Sequence, residues 1–256
     1  MSSVVCFTAL PGIGEVEPGA DLAAIAVEAM QRAGTTIRPG DVLVVAQKVV
    51  SKAEGRQVDL ASVVPSSQAL QLAAATGKDP RLVQLVLDES SEVLRVARNV
   101  IIARHRRGFV MANAGIDRSN VGPGAARREC VLLLPVDPDA SASSLRQALH
   151  ARLGVAPGVI VSDSFGRPWR NGTTNVALGA AGLGALHDRR GERDRDGRVL
   201  EMTQVACADA LAAGAALVMG EGAEGTPMVL VRGWSVEVPE RDASALVRPI
   251  AEDLFR

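Results

Sequence analysis

A short apolar run, Gly158-Val159-Ile160-Val161, passes through Ser162 into a carboxylate and a hydroxyl, Asp163-Ser164, then into Phe165-Gly166-Arg167-Pro168-Trp169-Arg170-Asn171-Gly172. The run reads as a buried strand that ends at Asp163. Gly, two Arg, an amide and a second Gly directly after it suit a polyanion held together with a metal. Core packing alone does not ask for that mixture. Gly108-Phe109-Val110-Met111-Ala112 leads in the same way into Asn113-Ala114-Gly115-Ile116-Asp117-Arg118-Ser119-Asn120. Two such segments in one chain point to a phosphate-handling enzyme.

The remaining elements alternate irregularly. Strands are expected at Val4–Phe7, Asp41–Ala46 after a Pro39-Gly40 turn, Asn99–Arg104, Gly108–Ala112, Val131–Leu134 and Pro227–Arg232. Asp21 is placed to cap a helix whose Leu22, Ile25, Ala26, Ala29 and Met30 share a face, ending at Gly34. Helices are also expected over Pro80–Val96, Ser141–Leu153 and the Ala-rich Thr203–Met219, and Gly191–Gly197 is a solvated charged loop. The order favours a mixed α/β (α+β) fold, neither a P-loop nor a Rossmann fold. A weak seam falls between Pro135 and Ser141.

With 256 residues, 47% of them apolar and 22% charged, the chain can bury one substantial core or two small ones. The 28 basic and 29 acidic residues balance, so no global field favours nucleic acid or anionic membrane. Aromatic residues make up 2% of the chain, which argues against a single-strand stacking platform. Cys6, Cys130 and Cys207 are far apart in apolar settings and read as buried free thiols. No signal peptide and no apolar run of membrane-spanning length stand out, so a cytoplasmic protein is expected.

His105, His150 and His187 are scattered, and zinc is poorly served. Asp117, Asp163 and Ser164, with Gln204 as a neutral fourth, offer hard oxygens suited to Mg²⁺ or Mn²⁺. The plainer readings are a helix cap or turn carboxylate for Asp163 and an Asx turn for Asp117. The usual phosphate-binding glycine motifs are absent, so a nucleotide needs an uncommon site. Backbone amides around Ile13-Gly14-Glu15-Val16 are one candidate; the basic end of the second strand, Gln47-Lys48-Val49-Val50-Ser51-Lys52, is another. Arg167 and Arg170 could clamp an anion, or pair with a buried acid.

At these residues the chain resembles the coenzyme F420-0:L-glutamate ligases, GTP-dependent γ-glutamyl ligases. The likeness runs nearly end to end, through Gly12–Leu22, Val49–Arg56, Ala112–Val121, Leu134–Asp139, Asp163–Gly172, Val199–Ala210, Arg248-Pro249 and Asp253-Leu254-Phe255. It implies a two-lobed fold over 1–256 without a C-terminal flavin-binding domain, assembled as a homodimer. It implies GTP, two Mg²⁺ or Mn²⁺ ions and K⁺, acting on F420-0 and L-glutamate through an acyl phosphate. By position, Asp117, Asp163, Ser164 and Gln204 would hold metal. Ile13, Gly14, Glu15, Val16, Gln47, Lys52, Asn120 and the run Met202, Thr203, Gln204, Val205, Ala206, Cys207, Ala208 and Asp209 would contact GTP. Asp163, Lys52, Arg167 and Arg170 would carry the chemistry.

Ser164 stands where relatives usually have Thr, Gln47 where Ser is frequent, and Thr174-Asn175 where Thr-Asp is frequent. Three other readings remain open at this point. They are a metal-dependent phosphohydrolase, a non-catalytic nucleotide- or deazaflavin-binding protein, and the same scaffold acting on another carboxylic acid.

Overall fold

The computed structural model describes residues 4–121, 129–236 and 238–253; Leu254 and Phe255 lie outside them. In chain order the elements are β1 (Cys6–Ala9), α1 (Leu22–Arg32), β2 (Val42–Ala46), α2 (Gln47–Ala53), β3 (Gln57–Asp59), α3 (Ser67–Thr76), α4 (Pro80–Asp88), β4 (Ser90–Ala97), β5 (Val100–His105) and β6 (Val110–Ala112). There follow β7 (Cys130–Leu132), α5 (Pro138–Leu153), β8 (Gly158–Arg167), β9 (Arg170–Ala181), β10 (Leu186–Asp188), β11 (Gln204–Ala206), α6 (Cys207–Met219) and β12 (Met228–Arg232). This is a mixed α+β fold.

A five-stranded sheet in the order β1-β12-β2-β8-β9 forms the middle of the molecule. Its central strands are apolar on both faces because both faces are covered. On one side Leu43, Val45, Val159 and Val161 pack with Ala26, Met30, Leu145 and Leu149 of α1 and α5. On the other, Val42, Val44 and Ile160 pack with Ala208, Leu211, Ala212 and Ala215 of α6. Asp21 caps α1 by accepting from the Ala24 amide, and Asp137 caps α5 by accepting from Ala140. β2 and β8 run parallel, with Val42 opposite Gly158 and Ala46 opposite Ser162.

The chain between α2 and α5 builds a second core from Leu60, Ala69, Leu82, Val83, Val86, Ile101, Ala103, Ile116 and Val131. Here the expected helix over Pro80–Val96 is corrected: α4 stops at Asp88 and Ser90–Ala97 is a strand, in the sheet β4-β5-β6. Val93 and Leu94 fit the helical period of α4 by chance, and the two periods cannot be separated over so short a run. A small cluster of Met111, Leu134 and Leu178, with Phe109, Phe165 and Val176 against it, joins this second core to β8 and β9. Arg56 adds a polar tie, donating to the Leu134 carbonyl and to Glu89, which also faces His105.

The strand carrying Asp163 is longer than its apolar run suggests. β8 continues to Arg167 and pairs antiparallel with β9 as one long hairpin. Asp163 is thus a mid-strand residue, and the helix-cap reading is excluded. Thr203–Met219 is likewise divided, β11 pairing with β10 before α6 begins at Cys207. Of the three free thiols only Cys207 is buried, and Cys6 is exposed on edge strand β1. Among the described residues no helix is long and apolar enough to cross a membrane.

Two outcomes follow. A Cβ at Gly179 would stand 2.1 Å from the Pro138 carbonyl carbon and oxygen, backbone that cannot yield cheaply. Gly179→Ala should therefore cost about 3 kcal/mol or more in urea unfolding, at the upper end of overpacking penalties. His105 and Arg56 together outweigh burial and hold the Glu89 carboxyl below its ordinary 4.5. Its contribution is full above that value and is lost as pH falls through the lower folded one. Glu89→Gln should cost about 1 kcal/mol near neutrality and flatten the acid limb of a stability–pH profile.

Candidate active site

Helix α2 follows β2 with no intervening loop, so Gln47 to Lys52 is a helix and not a strand end. Its two lysines, four residues apart, fall on one stripe. Lys48 donates to Asp117 Oδ2 at 2.7 Å and to Ser119 Oγ at 2.8 Å. Lys52 pairs with Glu15 Oε1 at 2.7 Å. One helix turn thus gathers the loop after β1 and the loop after β6, two segments that the sequence singled out separately.

Asp117 is fixed by its backbone, which exchanges both hydrogen bonds with Leu132. Its Oδ1 accepts from the Ser119 amide at 2.7 Å, the Asx turn read from the sequence, and from the Ser119 hydroxyl. Asn120 follows in the left-handed region at φ 54°. Burial alone would raise the Asp117 carboxyl, but bonds from Lys48 and Ser119 outweigh it and hold it below the ordinary carboxylate range.

Asp163 behaves oppositely. Burial pushes its carboxyl up to about 7, and the Asp117 and Glu221 carboxylates add to that against the pull of Lys48. That mutual influence brings Asp117, Asp163, Glu221 and Lys48 into one neighbourhood. Glu221 lies in the turn after α6, which leads to β12 beside the end of β2, where Ala46 donates to the Pro227 carbonyl. Three buried side-chain atoms nearby in register have no hydrogen-bond partner: Gln47 Nε2, Ser162 Oγ and Asn175 Oδ1. Such atoms are uncommon in a folded interior, where polar groups are nearly always paired.

Ser164 lies opposite Asn175, whereas Asp163 lies opposite Val176. Strand alternation therefore directs the two side chains to opposite faces of the hairpin. Gln204 is on the β10–β11 ribbon, its amide donating to Asp188, a partner separate from the Asp117–Asp163 pair. Among the described residues no group of three or more His, Cys, Asp and Glu is spaced to hold a metal. Two carboxylates nevertheless fit Mg²⁺ or Mn²⁺, which take one or two from protein and the remainder from phosphate and water.

The residues expected to contact a nucleotide lie in different settings. Gln47 is buried, accepting from the Ser51 hydroxyl. Val16, Cys207 and Ala208 are buried, Ile13 and Ala206 partly so, and Met202, Gln204 and Val205 are exposed, with Thr203 between them. Asp209 accepts from the Ala177 amide at 2.9 Å on the outer edge of β9, and so does structural work. Gly14 differs from the left-handed glycines of the chain: it has no positive φ, and a Cβ there would meet nothing within 4 Å. Fold and packing do not require it to be glycine, and a bare backbone leaves room for a ligand. Arg167 donates to the Asn171 carbonyl across its own turn, and Arg170 is exposed.

A family model described as F420-0:Gamma-glutamyl ligase matches residues 12–233. This chain belongs to that family. It is a ligase that forms a carbon–nitrogen bond. It is 46% identical over 247 residues to the coenzyme F420:L-glutamate ligase of Methanothermobacter thermautotrophicus, covering 96% of each chain. Against that of Methanopyrus kandleri it is 46% identical over 246 residues, 94% of each chain. Against that of Haloarcula marismortui it is 48% identical over 232 residues, 88% of this chain and 86% of the other. In this ligase Ser119 and Glu221 escaped the sequence reading as site residues, and neither carried a signal of its own.

Asp209→Ala would leave the Ala177 amide without its acceptor. The variant should lose about 1–3 kcal/mol in urea unfolding, with faster hydrogen exchange at that amide.

Proposed function

We propose that this ligase joins L-glutamate to the free carboxylate of F420-0 in a GTP-dependent reaction, and that further γ-linked glutamates follow. The mutual influence of Asp117 and Asp163, carried by two separate cores, with Lys48 paired to Asp117, carries the reading. A carboxylate and an amine do not condense unaided in water, so the carboxylate needs activation. Attack of its oxygen on the γ-phosphorus of GTP would break the bond to the bridging oxygen, giving an acyl phosphate and GDP. The glutamate amine would then add to the acyl carbon, expel phosphate and lose a proton.

Such transfers depend on positioning and charge neutralisation more than on covalent help from the protein. Asp117 and Asp163 would hold Mg²⁺ or Mn²⁺, which would supply charge neutralisation at the phosphates when bound. Lys48 and Lys52 bring two ammonium groups to the same helix face, and Arg170 is exposed nearby in sequence to Asp163. The open backbone at Gly14, next to the Lys52–Glu15 pair, suits the phosphates. A second ion at Ser164 and Gln204, GTP contacts along Met202–Asp209, use of K⁺, a homodimer and a cytoplasmic location rest on the family resemblance.

Asp163→Asn should lower turnover by at least about a hundredfold, the scale of losing one electrostatic stabiliser. Incubation of the wild type with F420-0, L-glutamate, GTP and Mn²⁺, followed by mass spectrometry, should show glutamyl products with GDP and no GMP. GTP hydrolysis at the same rate without glutamate, and no glutamyl product, would overturn the reading in favour of a phosphohydrolase.

A further inference from the structure

The segment joining α6 to β12, Gly220-Glu221-Gly222-Ala223-Glu224-Gly225-Thr226, carries two acids that are used differently. Glu224 folds inward: its Oε2 accepts from the Gly222 amide at 2.8 Å, and a Cβ at Gly220 would stand 2.3 Å from its carboxyl carbon. Gly220 has φ 76°, a conformation that glycine adopts without steric cost. Thr226 closes the segment by donating to the Met219 carbonyl at 2.9 Å. Glu221 takes no part in this construction. It is exposed, and among the described residues it has neither a hydrogen bond nor an ion pair. The segment is fixed over the reacting end of the sheet. Met219 Sδ lies 4.0 Å from Asn175 Nδ2, and Asn175 is opposite Ser164, the neighbour of Asp163. At the other end the Pro227 carbonyl accepts from Ala46, where β2 gives way to α2. Asp163 registers Glu221 as a like charge.

A carboxylate in this place calls for a cation, because beside bound phosphates it would otherwise repel them. A divalent ion shared with both aspartates is not that cation: among the described residues no third acid joins Asp117 and Asp163 at metal-holding spacing. The ammonium groups of α2 are engaged, Lys48 with Asp117 and Lys52 with Glu15. GTP and F420-0 are polyanions, so of the substrates in the functional reading above L-glutamate alone brings a cationic group. We propose that the Glu221 carboxylate receives the α-ammonium group of L-glutamate and so directs its nitrogen toward the acyl carbon held beside Asp163. The inference rests on that functional reading and adds to it the residue that selects the amine. A charge-assisted N–H···O bond fixes direction as well as charge. The same contact discriminates against diacids that lack an amine, to which Glu221 offers only repulsion.

Glutarate, which has the two carboxylates of L-glutamate and no amine, separates this contact from a structural role. Glu221→Gln should raise KM for L-glutamate at least about tenfold, the scale of losing one charged hydrogen bond, while KM for GTP does not rise. Glutarate should inhibit the variant as well as the wild type or better, because a repelling charge is gone. The melting temperature should stay within about 2 °C of the wild type, as for an exposed side chain without partners. Glu221→Asp, which keeps the charge on a shorter arm, should fall between the two in KM for L-glutamate. The assignment is overturned if Glu221→Gln leaves that KM unchanged or if the glutarate inhibition constant rises in step with it. It is also overturned if the variant needs more Mn²⁺ for half-maximal turnover, the mark of a cation ligand. A wild type that makes no glutamyl product overturns the ligase reading together with this assignment. A wild type that makes it, with a variant that matches it in KM for L-glutamate, overturns this assignment alone.

Discussion

Everything at the site depends on the parallel pairing of β2 with β8. Its register sets Ala46 opposite Ser162, so α2 and the Asp163 arm leave the sheet at the same end. β12, antiparallel to β2, brings the Glu221 turn to that end as well. Ligand sites of α/β sheets collect beyond the carboxyl ends of parallel strands for this reason. The opposite end carries different work: buried Asp41 is held there by a two-pronged bond from Arg232. A slip of one residue between β2 and β8 would turn Asp163 to the other face of the hairpin and dissolve the site.

The charges at that end are not arranged for stability. Asp163 is disfavoured as an anion by burial and by two like charges, against the hydrogen bond from the Ser164 amide and the pull of Lys48. Asp117 is satisfied three ways, by Lys48, the Ser119 amide and the Ser119 hydroxyl. One carboxylate is thus held ionised while its neighbour is held back from ionising. Gln47, Ser162 and Asn175 also leave polar atoms buried and unmatched at this end of the sheet, the last two on the face opposite Asp163. A fold selected for stability alone would place apolar groups there.

The elements legible in the sequence were those whose residues meet a single environment. Val42–Ala46 and Met228–Arg232 are buried along their length, and α1 has a cap and an apolar face. Where the environment changes within an element, the pattern fails. β8 begins buried and ends exposed, and the first residues of β9 are polar and exposed, so the hairpin hid behind an apolar run of four. α2 is seven residues long with lysines on its open stripe, and its periodicity never completes two turns. Among site residues, Asp117 and Asp163 were found because a carboxylate after an apolar run is chemically conspicuous. Lys48 was visible only as part of the basic run Gln47–Lys52, because its pairing with Asp117 depends on what the second core carries to it. The bond of Asp209 to a strand-edge amide was not legible, because sequence cannot distinguish a carboxylate facing solvent from one facing a strand edge.

That strand edge has a consequence for assembly. Asp209 accepts from Ala177, Asp139 from Ala180, and Glu240 from Gly182, so side-chain carboxylates occupy amides along the outer side of β9. A neighbouring chain cannot dock its own backbone carbonyls where acids already sit. Lateral growth of the five-stranded sheet by borrowed strands is thereby closed on that flank and left to the margin at Cys6–Ala9, where Val4 and Val5 lie open to solvent.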